Sequence, residues 1–157
     1  MRTTDGKTDA DLITIEIIPN DMSGTLGTST DTGDSTFLGN LNQILEYLQK
    51  NTNAQIAVLI ATPTRYNYQD TTEKYPPTSA SKTKWIEWID GVIETCRRNA
   101  VPVWDGFSEC GLGYFRVSND NKYVRDQIHL TELGGYNLAK FYWSKLKDMP
   151  CFYTSIS

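Results

Sequence analysis

The chain has 157 residues, of which 39% are hydrophobic and 22% charged, and its formal net charge at pH 7 is -4. This length and composition are typical of one folded domain with its own core, and they exclude disordered, collagen-like and coiled-coil proteins. A net negative charge provides no basic surface for phosphates, so we expect no nucleic acid among the partners.

No segment of the sequence predicts membrane insertion or secretion. The longest uninterrupted apolar run, residues 56–61, is far shorter than the roughly 20 residues that cross a bilayer. The start of the chain lacks an apolar signal core. We therefore expect no membrane span and, by default, a cytoplasmic protein.

The cysteines predict free thiols. The three of them, Cys96, Cys110 and Cys151, form no C-x-x-C pair, and the chain has a single histidine. This spacing does not match a zinc site, so we expect no metal.

The chain first predicts a strand followed by a long loop. Residues 12–18 form a β-branched run that stops at Pro19-Asn20-Asp21, as a mostly buried strand ends in a turn. Residues 22–36 are rich in Gly, Ser, Thr and Asp, which predicts a surface loop.

A helix and a second strand are predicted next. Apolar side chains recur at helical spacing over residues 37–48, with Asp34 or Ser35 as the N-cap. The continuous apolar run over residues 55–61 favours a strand that is covered on both faces.

The second half predicts a further helix, a short strand and a last helix. Apolar residues from Trp85 to Cys96 have helical spacing, residues 101–104 favour a strand despite Pro102, and residues 131–148 favour a helix. On the first of these helices, Trp85 and Trp88 are expected in the core.

The loop after the second strand carries three tyrosines, Tyr66, Tyr68 and Tyr75. They could stack on a sugar or acyl group, and their pattern favours neither this role nor an ordinary surface position.

The predicted order is β-α-β-α-β-α, and it favours an α/β fold with a parallel sheet and right-handed crossovers. Ligands bind such sheets at the carboxyl ends of the strands. Three strands make a small sheet for helices on both faces, so we expect either a compact remnant or a part of the fold outside this chain.

The only histidine, His129, follows Asp126 by three residues just before the last helix. A carboxylate that accepts from Nδ1 leaves Nε2 of a histidine able to act as a general base, and this spacing can bring the two groups together. In the alternative interpretation, Asp126 caps the helix and His129 is a surface or packing residue.

Three segments together resemble the SGNH (GDSL-type) hydrolases. They are Asn20-Asp21 after the first strand, Thr62-Pro63 after the second, and Asp126-x-x-His129 before a helix that contains Gly and Ala. The family's third block is a strand ending in G-x-N-D, and its fifth is D-x-x-H. The resemblance runs from about Asp11 to Met149. It implies a flavodoxin-like, three-layer α/β/α fold.

The resemblance also implies a chemistry, which is ester hydrolysis through a serine acyl-enzyme without metal or cofactor, on a lipid or acylated carbohydrate ester. His129 would be the general base, Asp126 its orienting carboxylate and Asn20 a donor in the oxyanion hole. Asp21 would brace the turn. Asn20 and Asp21 could equally form an Asx-turn and nothing more.

Two departures from the family pattern bear on activity. Ile18 stands where the third block has a glycine, and only residues 1–10 precede that block, so the blocks that carry the nucleophilic serine and further oxyanion donors are missing. Residues 33–36 read Gly-Asp-Ser-Thr like the serine block, but they follow a loop, and there capping by Asp34 or Ser35 is favoured over a nucleophilic Ser35.

The expectation is therefore a single domain over residues 1–157 that corresponds to the C-terminal two-thirds of the family fold, truncated at its N-terminus. An upstream chain could supply the serine, or the exposed sheet edge could lead to self-association. The rival hypothesis is a non-catalytic binding or structural module on the same fold.

Overall fold

A computed structural model of the chain describes residues 10–17, 24–62, 85–117, 121–126 and 129–149, and the structural statements below concern these ranges. The elements in chain order are β1 (Leu12–Ile17), α1 (Phe37–Asn51), β2 (Gln55–Ile60), α2 (Trp85–Arg98), β3 (Val103–Asp105), α3 (Gly106–Glu109), α4 (Tyr114–Val117), β4 (Val124–Arg125), β5 (His129–Leu130) and α5 (Glu132–Lys147).

The strands form two sheets. The larger is parallel with the order β1-β2-β3, and its register pairs Leu12 with Gln55 and Val58 with Val103. The smaller is an antiparallel hairpin of β4 and β5. The predicted α/β class with a parallel sheet and alternating helices is confirmed.

The third strand differs from its prediction. It covers Val103–Asp105 instead of residues 101–104, because the Val101 N–H donates to the Cys96 carbonyl at 2.9 Å and so closes α2. Pro102 has no N–H to donate to the sheet, although its carbonyl accepts from the Val58 N–H at 3.0 Å. Ile18, the last residue of the predicted first strand, lies outside the described residues.

The predicted N-cap of α1 is wrong, since Thr36 holds that position instead of Asp34 or Ser35. The Thr36 hydroxyl accepts from the Gly39 N–H at 3.1 Å and donates to Asp31 Oδ2 at 2.9 Å. Asp31 also accepts from both the N–H and the hydroxyl of Thr28. These hydrogen bonds, those from Thr28 first, hold the pKa of Asp31 below its ordinary value.

The two faces of the parallel sheet are packed unequally. The face covered by α1 and α2 holds the larger core, where Trp85 and Trp88 are buried as predicted. On the other face, under α5, the buried core residues of the described ranges are only Ala57, Leu59 and Trp104. No helix in the described ranges is long and apolar enough to span a bilayer.

Candidate active site

The β4–β5 hairpin positions Asp126 and His129. The strands pair Arg125 with His129, and the turn begins at Asp126, whose φ is 42°. This left-handed conformation is rare outside glycine but is accessible to Asp, whose side chain can bond nearby backbone groups. Here it does so, because the His129 N–H donates to Asp126 Oδ1 at 3.0 Å. The hairpin turn thus brings the carboxylate beneath the ring.

The imidazole is held by the same carboxylate. His129 Nδ1 lies 3.0 Å from Oδ1 and 3.0 Å from Oδ2 of Asp126. A carboxylate only accepts hydrogen bonds, so this contact fixes the ring proton of neutral His129 on Nδ1 and leaves the Nε2 lone pair free to accept one. The backbone N–H and the ring Nδ1 of His129 thus both meet the carboxylate of Asp126.

Both side chains are accessible from solvent, at 65% for His129 and 56% for Asp126. At this exposure water screens the attraction between the two groups, so the pair adds little to stability. Its effect is to orient the ring, as a general base requires.

The hairpin is fastened to the start of α5 by Thr131. The Thr131 hydroxyl accepts from the Gly134 N–H at 3.2 Å and donates to the Lys122 carbonyl at 2.6 Å, and its N–H donates to the Tyr123 carbonyl at 2.9 Å. Thr131 is therefore the cap of this helix, and the alternative role of Asp126 as its cap is excluded.

Gly134 allows the helix to approach the hairpin closely. A Cβ at this position would lie 2.1 Å from the Tyr123 carbonyl oxygen, a distance that a real side chain does not adopt. Spacing alone could not identify Thr131 and Gly134 as support for the site, although a Thr at the N-cap position of a predicted helix is a usable signal.

A buried carboxylate lies at the carboxyl end of the parallel sheet. Asp105 ends β3, is 7% exposed and accepts from the Ser108 N–H at 3.0 Å as the cap of α3. Its neighbour Gly106 packs against β2, since a Cβ there would lie 2.5 Å from the Ile60 carbonyl oxygen. A polar residue directly after a predicted strand is the signal that could have identified Asp105.

Several predicted site residues lie outside the described ranges. They are Asn20 and Asp21, the candidate oxyanion donor and its neighbour, Pro63 and the loop tyrosines Tyr66, Tyr68 and Tyr75. Thr62, which precedes Pro63, is buried. The structure thus unites Asp126 with His129 and leaves the predicted position of Asn20 untested.

Ser35 is not placed like the nucleophile of a strand-to-helix turn. It is exposed, it precedes the α1 cap, and described residues 24–36 before the helix contain no strand. The neighbouring hydroxyl of Thr36 makes the hydrogen bonds that begin the helix.

The described thiols are poor candidates for a nucleophile. Burial raises the pKa of Cys96 to about 12 and also raises that of half-buried Cys110, which keeps both protonated near neutral pH. Both are free, as predicted, whereas Cys151 lies outside the described residues. Within the described ranges, no three His, Cys, Asp or Glu side chains come together as a metal site.

Two cavities of about 410 and 440 Å³ lie away from the Asp126–His129 pair. The first is polar and includes Asn42, Lys50 and Arg98 in its lining. The second lies between the ends of α1 and α2 and includes Pro102 and Met149.

No protein-family model and no curated protein matches this chain. Two solved structures are similar to it. A crystal structure of a protein from Lactobacillus plantarum is 20% identical with a TM-score of 0.78, over 90% of this chain and 69% of that one. A second crystal structure is 21% identical with a TM-score of 0.76, over 94% of this chain and 69% of that one. At these identities the likeness shows a shared fold and nothing further.

Proposed function

We propose that this chain is the C-terminal two-thirds of an ester hydrolase of the SGNH (GDSL) type, with a flavodoxin-like three-layer fold. In this proposal His129 is the general base and Asp126 its orienting carboxylate. The observation that carries it is the pair of 3.0 Å contacts between His129 Nδ1 and the two oxygens of Asp126. A base held in this way, on a side chain that is 65% exposed, is half of a nucleophile-activating site.

The architecture supports the proposal in two ways. The parallel order β1-β2-β3 brings the carboxyl ends of all three strands to one edge, where ligands bind in α/β sheets. The match with this chain covers 69% of each solved neighbour. Almost a third of each neighbour therefore lies outside the match. A segment of that size can carry the missing serine and its glycine N–H donor.

The proposed reaction uses this chain's residues for proton transfer and charge stabilisation. The serine Oγ of the outside segment attacks the ester carbonyl carbon while His129 Nε2 takes its proton. Asp126 stabilises the imidazolium, which then protonates the departing alkoxide oxygen. Water attacks the acyl-enzyme by the same proton route, releasing the acid and restoring the serine. Asn20 would donate its amide N–H to the oxyanion, a contact commonly worth about 3 kcal/mol of barrier.

The substrate class is a lipid or acylated carbohydrate ester. The His129 side chain is 65% exposed, which suits an ester presented on a larger molecule as well as a small one. The loop tyrosines Tyr66, Tyr68 and Tyr75 would be available to stack on a sugar or acyl group.

Activity is tested on two proteins, the 157-residue chain and its reading frame extended upstream of Met1. We expect the extended protein to hydrolyse a short-chain aryl ester and a serine-directed phosphonate to label a serine upstream of Met1. His129→Ala should lower kcat at least about a thousandfold, because the serine loses its base. The 157-residue chain should be inactive and unlabelled.

Three results would contradict the proposal. They are labelling at Ser35, turnover that survives His129→Ala, and inactivity of both proteins toward every ester. The last result would favour the non-catalytic binding or structural module.

The ring geometry can be tested without activity, because the chain has one histidine and its side-chain ¹⁵N signals are unambiguous. Neutral His129 should carry its proton on Nδ1. Asp126→Asn can present an amide N–H to Nδ1 and so move the proton to Nε2. Asp148→Asn, at the far end of α5, is the control that leaves the spectrum unchanged. The same tautomer in both the parent chain and Asp126→Asn would contradict the orienting role.

A further inference from the structure

One edge of β1 has no partner strand among the described residues. In the described part of the chain β1 pairs only with β2. The Asp11 and Ile17 carbonyls accept from N–H groups of the β2 side, so the backbone groups of Leu12, Thr14 and Glu16 point outward. This edge has six residues without proline and only one charge, that of Glu16. Natural sheets usually protect such an edge.

The opposite edge of the sheet is protected. β3 has only three residues, follows Pro102 and ends at the helix cap Asp105. A short strand next to proline offers few groups for another chain to pair with. Association is therefore directed to β1.

An exposed apolar flank of α1 lies on the same side as the open edge. Asn42 and Gln49 of α1 face α2, since each hydrogen-bonds Asn99 at 2.8 Å. At 100° per residue, Ile44 and Tyr47 fall on the opposite flank, and they are 46% and 59% exposed. Because α1 crosses over β1 and β2 while α2 crosses over β2 and β3, this flank overhangs the open edge.

The flank and the edge have the composition of an interface. The residues of the α1 flank, at spacings of four, three and four, are uncharged: Asn40, Ile44, Tyr47 and Asn51. Protein interfaces are depleted of charge at their centre and enriched in tyrosine. Ile15 of β1 lies below them, partly buried against the core under α1.

The sequence of β1 is complementary to itself in an antiparallel register. With Ile15 opposite Ile15 of a second copy, Ile13 lies opposite Ile17, and Thr14 lies opposite Glu16. Directly opposed residues share a face, so the isoleucines would pair on the α1 side and Thr14 would meet the Glu16 carboxylate on the other. The outward N–H and C=O groups of Thr14 and Glu16 are those that such a ladder joins.

We propose that a second copy of this chain covers the β1 edge, forming a two-fold symmetric dimer with a continuous six-stranded sheet. Ile44 and Tyr47 of the two α1 helices pack against each other above the β1–β1 ladder. Two-fold dimers are the commonest protein assemblies. The proposal does not depend on the hydrolase function, and a segment outside the 157 residues that pairs with β1 would compete for the same edge.

The test is the mass of the 157-residue chain by sedimentation equilibrium from 1 to about 50 µM, the range in which functional dimers of modest affinity form. We expect a dimer. Thr14→Pro removes an outward N–H without touching the β2 ladder, so it should give a folded monomer. Tyr47→Lys should weaken the dimer at least about tenfold, whereas Trp143→Lys, an equally exposed aromatic on α5, should not.

Circular dichroism checks that each variant is folded. A monomeric parent chain at all concentrations would overturn the proposal and leave the edge to another segment. A dimer that persists in Thr14→Pro would exclude the edge, and one unchanged by Tyr47→Lys would exclude the α1 flank.

Discussion

The two faces of the parallel sheet are built differently. Under α1 and α2, the β2 residues Ile56, Val58 and Ile60 are buried, and the tryptophans Trp85 and Trp88 pack against them in the same core. On α5, by contrast, only Gly134 is buried, and Phe141 and Tyr142 are partly buried against the second core. Trp143 is 61% exposed.

The difference follows from how each helix is attached. Helices α1 and α2 each connect two adjacent parallel strands, so both of their ends are tied to the sheet that they cover. Helix α5 follows the β4–β5 hairpin and is held at its first turn by Thr131 and Gly134. The candidate active site therefore lies on the less densely packed part of the molecule, where its orientation depends on a few backbone contacts.

The largest expected effect is the difference in stability lost when a tryptophan is removed from each face of the sheet. Trp88→Ala removes a fully buried side chain from the core under α1 and α2 and should cost about 3–5 kcal/mol of unfolding free energy. The exposed Trp143→Ala should stay within about 0.5 kcal/mol. Urea unfolding at one protein concentration measures both, and similar costs would show that the faces are equally packed.

A smaller effect is expected where α5 meets the hairpin. Gly134→Ala places a Cβ 2.1 Å from the Tyr123 carbonyl oxygen, so the backbone must shift, at a cost of about 1–3 kcal/mol. Gly135→Ala points into open space and should gain up to about 1 kcal/mol from helix propensity. Thermal unfolding of the pair provides the measurement, and a stable Gly134→Ala protein would contradict the close approach.

The α5 face also contains a buried hydroxyl. In the described ranges the Tyr142 hydroxyl has no hydrogen-bond partner, and its pKa is raised by burial first and then by Glu16 and Cys110. Because nothing is lost on its removal, Tyr142→Phe should leave stability unchanged or raise it by about 1 kcal/mol. Tyr136→Phe, at an exposed position, is the control. A clear loss of stability in Tyr142→Phe would reveal a partner for the hydroxyl.

The smallest expected effect is on stability at low pH, and it involves Asp31 in the loop that precedes α1. The pKa of Asp31 is lowered by its bonds to Thr28 and Thr36, so the contribution of this carboxylate is present above the ordinary aspartate pKa. It is lost as pH falls through the lowered value, below about pH 4. In a plot of Tm against pH, Asp31→Asn should make the fall of Tm at acid pH less steep. The control Asp34→Asn should leave that fall unchanged. An equally steep fall in Asp31→Asn and the parent chain would contradict this role.

The local pattern of the sequence was sufficient for the main elements. A β-branched run predicted β1 and a continuous apolar run predicted β2, because strand preference and burial both show in the types of neighbouring side chains. Helical spacing predicted α1, α2 and α5 within a few residues of their observed ends. The Asp126-x-x-His129 spacing predicted the pair itself, since three residues are enough to form the turn.

The tertiary structure decided the features that local patterns leave open. Some depend on contacts between residues that are distant along the chain, and others on which of several neighbouring residues takes one role. Thr36 caps α1 in place of its neighbours because its hydroxyl also reaches Asp31. The β3 strand begins at Val103 because Val101 closes α2. The hairpin under His129 is docked on α5 because Gly134 lets the Tyr123 carbonyl approach. Periodicity in the sequence indicates which side of a helix or strand is apolar. Only tertiary packing determines which backbone groups come within contact or hydrogen-bonding distance of each other.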